Sequence, residues 1–209
     1  MNEEVPMSEQ AHYTIPDIAI TPAIKRTGRV VAVAAAPGEA IGSEVLGTLE
    51  LTHEGIPGDR HAGFLRPADV RVPWFKRGEP IQNERHVSIV SVEDLAVIAA
   101  NLGVDRVEPE WLGANLAVEG LPDFSFIPRG TRLFFPSGAV LAVTDQNAPC
   151  RFAGDEVEKY LSGMDGLGLR FAGAAKRLRG VVAYVDRPGT ISAGEEFKVR
   201  VPEQWVWRG

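Results

Sequence analysis

The chain has one cysteine, Cys150, among 209 residues, so it can form no internal disulfide. It also lacks any apolar run approaching the roughly 20 residues of a membrane-spanning helix. The best such run, residues 30–36, stops at Pro37. Positive charge is not in excess: the formal net charge is −6, which gives no whole-surface electrostatic footprint for nucleic acid. The opening residues Met1-Asn2-Glu3-Glu4-Val5-Pro6 are acidic and carry no apolar stretch, so they do not read as a secretory signal. With a lone cysteine and no such signal, a reducing, cytoplasmic setting is expected, with no membrane association. No internal repeat and no low-complexity tract is present.

What is there is an ordinary globular composition, 44% hydrophobic, in a chain long enough to bury a substantial core. Residues 1–14 are polar and read as a loose tail, leaving 15–209 as a single domain. Strand patterns appear at 29–34, 45–52, 87–90, 115–119, 131–135, 139–144, 181–186 and 197–201, separated by Gly and Pro turns. Ser91-Val92-Glu93-Asp94 predicts a helix start in the Asp form of a capping box. Leu95, Ile98, Ala99 and Leu102 follow at helical spacing, with Gly103 as the stop. Further helices are expected over 152–164 and 169–178. Residues 64–84 hold many prolines and glycines and no sustained period, and read as a long loop. Many short strands with few helices between them predict a mainly β fold, a barrel or sandwich with helical insertions, rather than a doubly wound sheet.

Two segments carry candidate chemistry. The run Ala139-Val140-Leu141-Ala142-Val143-Thr144 leads into Asp145-Gln146-Asn147-Ala148-Pro149-Cys150-Arg151, a polar turn that presents the thiol just after a proline of fixed φ. Cys150 is then buried filler, a reactive thiolate or a metal ligand. Arg151, Arg129 and Arg132 are the nearby cations that would favour a thiolate if they face it. The second segment is His53-Glu54-Gly55-Ile56-Pro57-Gly58-Asp59-Arg60-His61-Ala62-Gly63. Its glycines let backbone N–H groups approach an anion, although Asp59 could equally just hold the turn. A zinc site of His53, His61 and Cys150 has no common ligand spacing. Gly166-Leu167-Gly168-Leu169-Arg170-Phe171 fails as a dinucleotide fingerprint, because Phe171 stands where glycine is needed and no strand precedes it. Ser91 is explained by helix capping, His12 lies in the tail, and His86 is expected at the rim of a strand.

Gly55-Ile56-Pro57-Gly58-Asp59-Arg60-His61, Arg85-His86-Val87-Ser88 with Glu93, Gly113-Ala114-Asn115 and Asn147-Ala148-Pro149-Cys150 together resemble the ordered motifs of MOSC domains. Arg179-Gly180-Val181-Val182-Ala183 and the hairpin at 189–194 are similar to its closing segment, so the resemblance runs from about Gly28 to Val201. It implies a strand-rich MOSC-type β-barrel that binds molybdenum cofactor (molybdopterin) or handles sulfur destined for it. In relatives that reduce N-hydroxylated or N-oxide compounds the cysteine is a thiolate ligand to molybdenum; in others it was proposed to carry a persulfide. The resemblance implies Cys150 as the catalytic residue and metal ligand. It implies Gly58, Asp59, Arg60, His61, Arg85, Asn115, Asn147 and Arg151 around the pterin and its phosphate. A soft thiolate suits a soft metal and persulfide chemistry alike.

The partners implied are a small-molecule substrate and either a separate electron-donor protein or a cysteine desulfurase, since the chain has no cysteine cluster for an iron–sulfur centre. Pyridoxal phosphate is not expected, because there is no room for a desulfurase domain. Two departures stand out. Some relatives have arginine or glutamate where this chain has Ala114, which weakens an anion contact at that turn. Residues 64–84 look like an expansion, read as a solvated loop whose aromatics pack on the barrel, or more sharply as a lid or a docking surface for the electron donor.

Overall fold

The computed structural model describes residues 18–161 and 163–206; the tail expected over 1–14 lies outside them. In chain order the strands and helices are β1 (Ile20–Thr21), β2 (Ile24–Ala35), β3 (Glu44–Leu46), β4 (Thr48–Leu51), β5 (Leu65–Pro67), β6 (Pro80–Gln82), β7 (Val87–Ser91), α1 (Val92–Leu102), β8 (Leu116–Glu119), β9 (Arg132–Phe134), β10 (Val140–Gln146), α2 (Arg151–Lys159), α3 (Leu167–Ala174), β11 (Val181–Arg187), β12 (Gly189–Ser192), β13 (Glu196–Val201) and β14 (Gln204–Trp205). Seven of them close a barrel in the order β13-β9-β10-β11-β7-β8-β2, because β13 pairs with both β9 and β2. Closure leaves no free edge inside the ring, so each barrel strand has a partner on both sides. The β7–β8 pair is parallel and needs a crossover, which α1 supplies.

The period-2 alternation of the strands sorts side chains between two cores. Val87 and Ile89 of β7, Leu116 and Val118 of β8, Leu141 and Val143 of β10 and Phe197 and Val199 of β13 point into the barrel. On the other face of the same strands, Val90 and Ala117 join Leu95, Ile98, Leu102, Val157, Leu167 and Phe171 from the helices. Strand β7 is therefore buried over all of its length. Ser88 is the polar exception on that outward face, and it marks where the helical layer gives way to a cavity.

Some boundaries differ from the sequence reading, for local reasons. The strand expected over 45–52 breaks at Gly47 into β3, which joins β2, and β4, which pairs with β12. Ser91 caps α1, its Oγ accepting from Asp94 N at 3.1 Å. The reciprocal half of the capping box is missing, because the Asp94 carboxylate instead accepts from Ser125 N at 3.0 Å and Ser125 Oγ at 2.6 Å. The segment 64–84 is not a plain loop. β5 and β6 pair antiparallel, and Ala68 and Glu79 extend the tie. Nor do its aromatics pack on the barrel: Trp74 is 71% exposed and Phe75 43%.

His86 sits not at a rim but buried at the foot of β7, where it staples the 53–63 segment to the barrel. Its Nε2–H donates to Gly63 O at 3.1 Å, and its Nδ1 accepts from Val185 N at 3.3 Å. This arrangement needs the neutral ring. Burial is the largest influence on it and lowers its pKa, outweighing the Gly63 contact. The unfolded chain then takes up a proton that the folded chain resists. Stability contributed by neutral His86 is complete above about pH 6.5 and declines as pH falls below that value. Urea denaturation between pH 8 and pH 5 should show this decline, and His86→Gln should flatten it.

Candidate functional site

One cavity of about 750 Å³ opens beside the barrel, in the size range of small-molecule and cofactor sites (about 300–1,000 Å³). Cys150 lies on its wall together with Arg60, His61, Arg85 and Asn147. The structure thus brings five of the residues singled out in the sequence to a single space. Gly58, Asp59, Asn115 and Arg151 do not line it. Arg151 faces outward and pairs with Asp155 at 3.5 Å. Arg129 and Arg132 are likewise away from the sulfur, paired with Glu84 at 2.9 Å and Asp186 at 3.0 Å.

Asp59 and Asn115 are buried beneath the cavity wall and build it. Asp59 Oδ2 accepts from Ala36 N at 2.8 Å and Asn115 Nδ2 at 2.9 Å, while Oδ1 accepts from His61 N at 2.8 Å and His61 Nδ1 at 3.0 Å. Burial is the largest influence on Asp59 and pushes its pKa up, but the hydrogen bonds from His61 and Ala36 outweigh it and hold the carboxyl below its ordinary value. Asn115 completes the scaffold: its Oδ1 accepts from Ser88 N at 2.9 Å and its Nδ2 also reaches Ala34 O at 3.2 Å. Every polar atom of the Asn115 amide is engaged internally, so the pterin-edge role expected for it is not available.

The Asp59 carboxylate orients His61, whose ring is partly exposed into the cavity. Arg60 Nε donates to His61 Nε2 at 3.4 Å, and the Arg60 guanidinium also clamps the carbonyls of Ala40 and Ile41. The neutral Nδ1–H tautomer of His61 satisfies both neighbours.

Behind Cys150 lies a residue the site assignment missed. Arg179 is buried; it donates to Leu112 O and, at 3.4 Å, to Ser88 Oγ. Asn147 Nδ2 donates to the same Ser88 Oγ at 3.1 Å, and Arg85 donates to Asn147 Oδ1 at 3.3 Å. With two donors already on its oxygen, Ser88 keeps its own O–H proton to offer to the cavity. Arg179 is placed by a tight backbone. Gly180 has φ +76°, and a Cβ there would lie 1.9 Å from Ile89 O. Its N–H donates to Ser125 Oγ at 2.9 Å, so the chain α1–Asp94–Ser125–Gly180 sets the arginine. The Arg179-Gly180 pair ahead of a buried strand was the available signal, a cation tethered to a residue that only close packing requires.

Five arginines line the cavity, Arg60, Arg66, Arg71, Arg85 and Arg179, against the two carboxylates Glu39 and Asp69. Asp69 is shared between Arg66 at 3.7 Å and Arg71 at 2.8 Å. Among the described residues, Arg85 and Arg179 form no ion pair. Burial, reinforced by the neighbouring arginines, pushes both down to about 10, still charged at neutral pH. Negative charge at Cys150 is the main influence easing Arg179. The thiol itself is partly buried and stands at the N-cap of α2 with its side chain uncommitted to the helix, on the positive end of the helix dipole. Thr144 accounts for that placement. It is the extra residue of a bulge in β10 opposite β11, and its hydroxyl is shared between Glu84 O and Val182 O. Such a bulge bends the strand end toward the cavity.

Mutually repelling guanidinium groups beside a thiol favour negative charge between them. The MOSC domain profile matches residues 57–198. The chain belongs to the MOSC domain family. A curated relative from Bacillus subtilis, described as "Putative metal-sulfur cluster biosynthesis proteins YuaD", is 42% identical over 160 residues, covering 77% of this chain and 83% of its own. The crystal structure of YUAD protein from Bacillus subtilis superposes with a TM-score of 0.83 at 37% identity, covering 86% of this chain and 98% of that one. YiiM from Escherichia coli shares the fold at 19% identity, with a TM-score of 0.50 over 87% of this MOSC chain and 71% of its own. No helix among the described residues is long and apolar enough to cross a membrane. Nor do His53, His61 and Cys150 gather: among the described residues no three His, Cys, Asp or Glu side chains could share a metal ion.

The Asp59 carboxylate faces four N–H donors, and an amide in its place would turn its NH₂ toward some of them. Asp59→Asn should therefore destabilise the protein by about 2–4 kcal/mol, read from the urea midpoint. It should also loosen His61, visible as a change in its ring proton chemical shifts.

Proposed function

We propose that this MOSC protein binds a molybdenum-bearing pterin phosphate in the Cys150 cavity and serves in two-electron reduction of N-hydroxylated or N-oxide compounds. The observation that carries the proposal is the joint presence, on one cavity wall, of an uncommitted thiol and two arginines without an ion pair among the described residues, Arg179 buried and Arg85 half-buried. The residues fit such a group. Guanidinium N–H forks match a phosphate, a thiolate matches a soft metal, and Asn147 offers an amide to a ring edge. Cys150 would hold the metal, with Arg60, Arg85 and Arg179 holding the anionic end. When bound, the group supplies the two-electron redox chemistry.

In the overall reaction an external donor protein supplies two electrons and two protons are taken up as the N–O bond breaks. From an N-hydroxylated substrate the oxygen leaves as water and the nitrogen gains a hydrogen; from an N-oxide the oxygen leaves as water and the nitrogen regains its lone pair. This chain's own residues orient and protonate. The free Ser88 hydroxyl bears a proton facing the cavity, while His61, its Nδ1–H on Asp59 and its Nε2 accepting from Arg60, lends a polar edge. A negative sulfur at Cys150 would ease the buried Arg179 guanidinium.

A second reading, sulfur carriage on a Cys150 persulfide, draws support from the metal–sulfur description given to the YuaD relative. The two readings separate in one preparation. Protein purified from a cofactor-competent host should contain molybdenum and oxidisable pterin, and Cys150→Ala should lose the metal and the reduction. If the host protein is metal-free and a cysteine desulfurase adds a reductant-labile sulfur to Cys150, carriage is the function. Full reductase activity in Cys150→Ala would sink the molybdenum assignment.

A further inference from the structure

A second cavity, of about 320 Å³, lies against the first, and Arg66, Arg71 and Arg85 line both. Its other wall carries Trp74 and Phe75 from the 64–84 excursion. These rings sit 6.4 Å apart at 52°, on a backbone fixed by Val72 N to Asp69 O, Phe75 N to Val72 O and Gly78 N to Ala68 O. An ordered turn that leaves indole and phenyl faces open to solvent gains nothing from burying them, and offers planar surfaces to a ring. The arginine side carries more positive than negative charge: Arg66 and Arg71 share the single carboxylate of Asp69, and Arg85 forms no ion pair among the described residues. A stacking face on one wall and incompletely neutralised guanidinium groups on the other select one kind of ligand.

We infer that this cavity is a recognition subsite for a planar aromatic ring that carries an anionic group, with the ring on Trp74 and Phe75 and the anion on Arg66 and Arg71. As a statement about substrate it rests on the proposed reductase reading, since a ligand held there extends toward Cys150 across the shared arginines. As a binding site it stands by itself. Stacking on an aromatic face contributes about 1–3 kcal/mol per ring and tolerates many ring types, so the subsite sets a class and not a single compound. A neutral ring of the same shape gains nothing from the positive charge that Asp69 leaves unbalanced, and binds less tightly.

Calorimetric titration of the full chain without molybdenum tests this with three probes: adenosine monophosphate, adenosine and inorganic phosphate. A benzoate titration distinguishes a carboxylate from a phosphate as the preferred anion. The nucleotide should bind at least tenfold more tightly than either half, and Trp74→Ala should remove about tenfold of that affinity. Trp74 is exposed, so its truncation leaves the fold intact. Thermal denaturation of the variant, with an unchanged midpoint, confirms it. Equal affinity for the nucleotide and inorganic phosphate, or an unchanged nucleotide affinity in Trp74→Ala, would overturn the subsite. Because the titration uses metal-free protein, its failure leaves the molybdenum reading standing, and absence of molybdenum from the host protein leaves the subsite standing.

Discussion

The Asp59 carboxylate, sealed between the end of β2 and the start of β8, is the interaction on which the rest of the structure depends. It takes an N–H from each side of that seam, at Ala36 and Asn115, and uses its remaining oxygen to fix the backbone and ring of His61. Asn115 carries the tie onward to Ser88 in β7 and to Ala34 in β2. Three strands and the loop bearing Arg60 and His61 are thus registered by one buried acid and one buried amide. A charge with all its acceptor sites filled survives burial, whereas a neutral substitute of the same shape could not accept the same donors. The barrel could close without this cluster. The cavity could not keep its shape.

Above that scaffold the electrostatic logic reverses. Where Asp59 is over-supplied with donors, half-buried Arg85 and buried Arg179 have carbonyl, hydroxyl and amide partners but no ion pair among the described residues. Burial and the nearby guanidinium groups weaken each of them, and only a negative sulfur at Cys150 eases Arg179. A protein that spends folding stability in this way must recover it on binding an anion, so ligand binding and stability should be linked. The packing explains why the arginines cannot relax away. Gly180 presses its backbone onto Ile89, and Gly113, at φ +66°, lies where a Cβ would meet Ile41 O and the Arg60 guanidinium. Tight backbone approaches hold long, flexible side chains at fixed positions.

How much of this was legible in the sequence depended on whether a residue's role is local. The alternation of the barrel strands, the Ser91 cap and the Gly103 stop are local, and they were legible to within one or two residues, except that β2 starts five residues before the expected 29–34. The site motifs located the right segments, but motif membership does not tell which face a side chain takes. Asn115 and Asp59 stand beside residues that reach the cavity, yet they turn inward to each other. Arg179 was quoted as part of a closing strand and not as a site residue, because its role arises from Gly180 packing on β7, some ninety positions away in the chain. The 64–84 segment was misread as a loop for another reason. β5 and β6 are three residues each, the first ending and the second beginning with proline, too short to show a period.

That excursion also changes what Cys150 means. A lone thiol beside a proline is compatible with packing, and Cys150 does touch the helical core. Packing does not, however, require five arginines, one of them buried, around the cavity that the thiol lines, nor a ribbon with open aromatic faces beside them. These features come from four separate stretches of chain, around Arg60, Arg71, Arg85 and Arg179, and what they share is only the space they surround. A thiol that merely stored sulfur would need an approach for a donor and little else. The arginine-lined cavity and the Trp74–Phe75 shelf beside it would suit a shaped, anionic molecule next to sulfur. This complementarity is the physical reason to favour the proposed chemistry on a bound ligand over simple carriage.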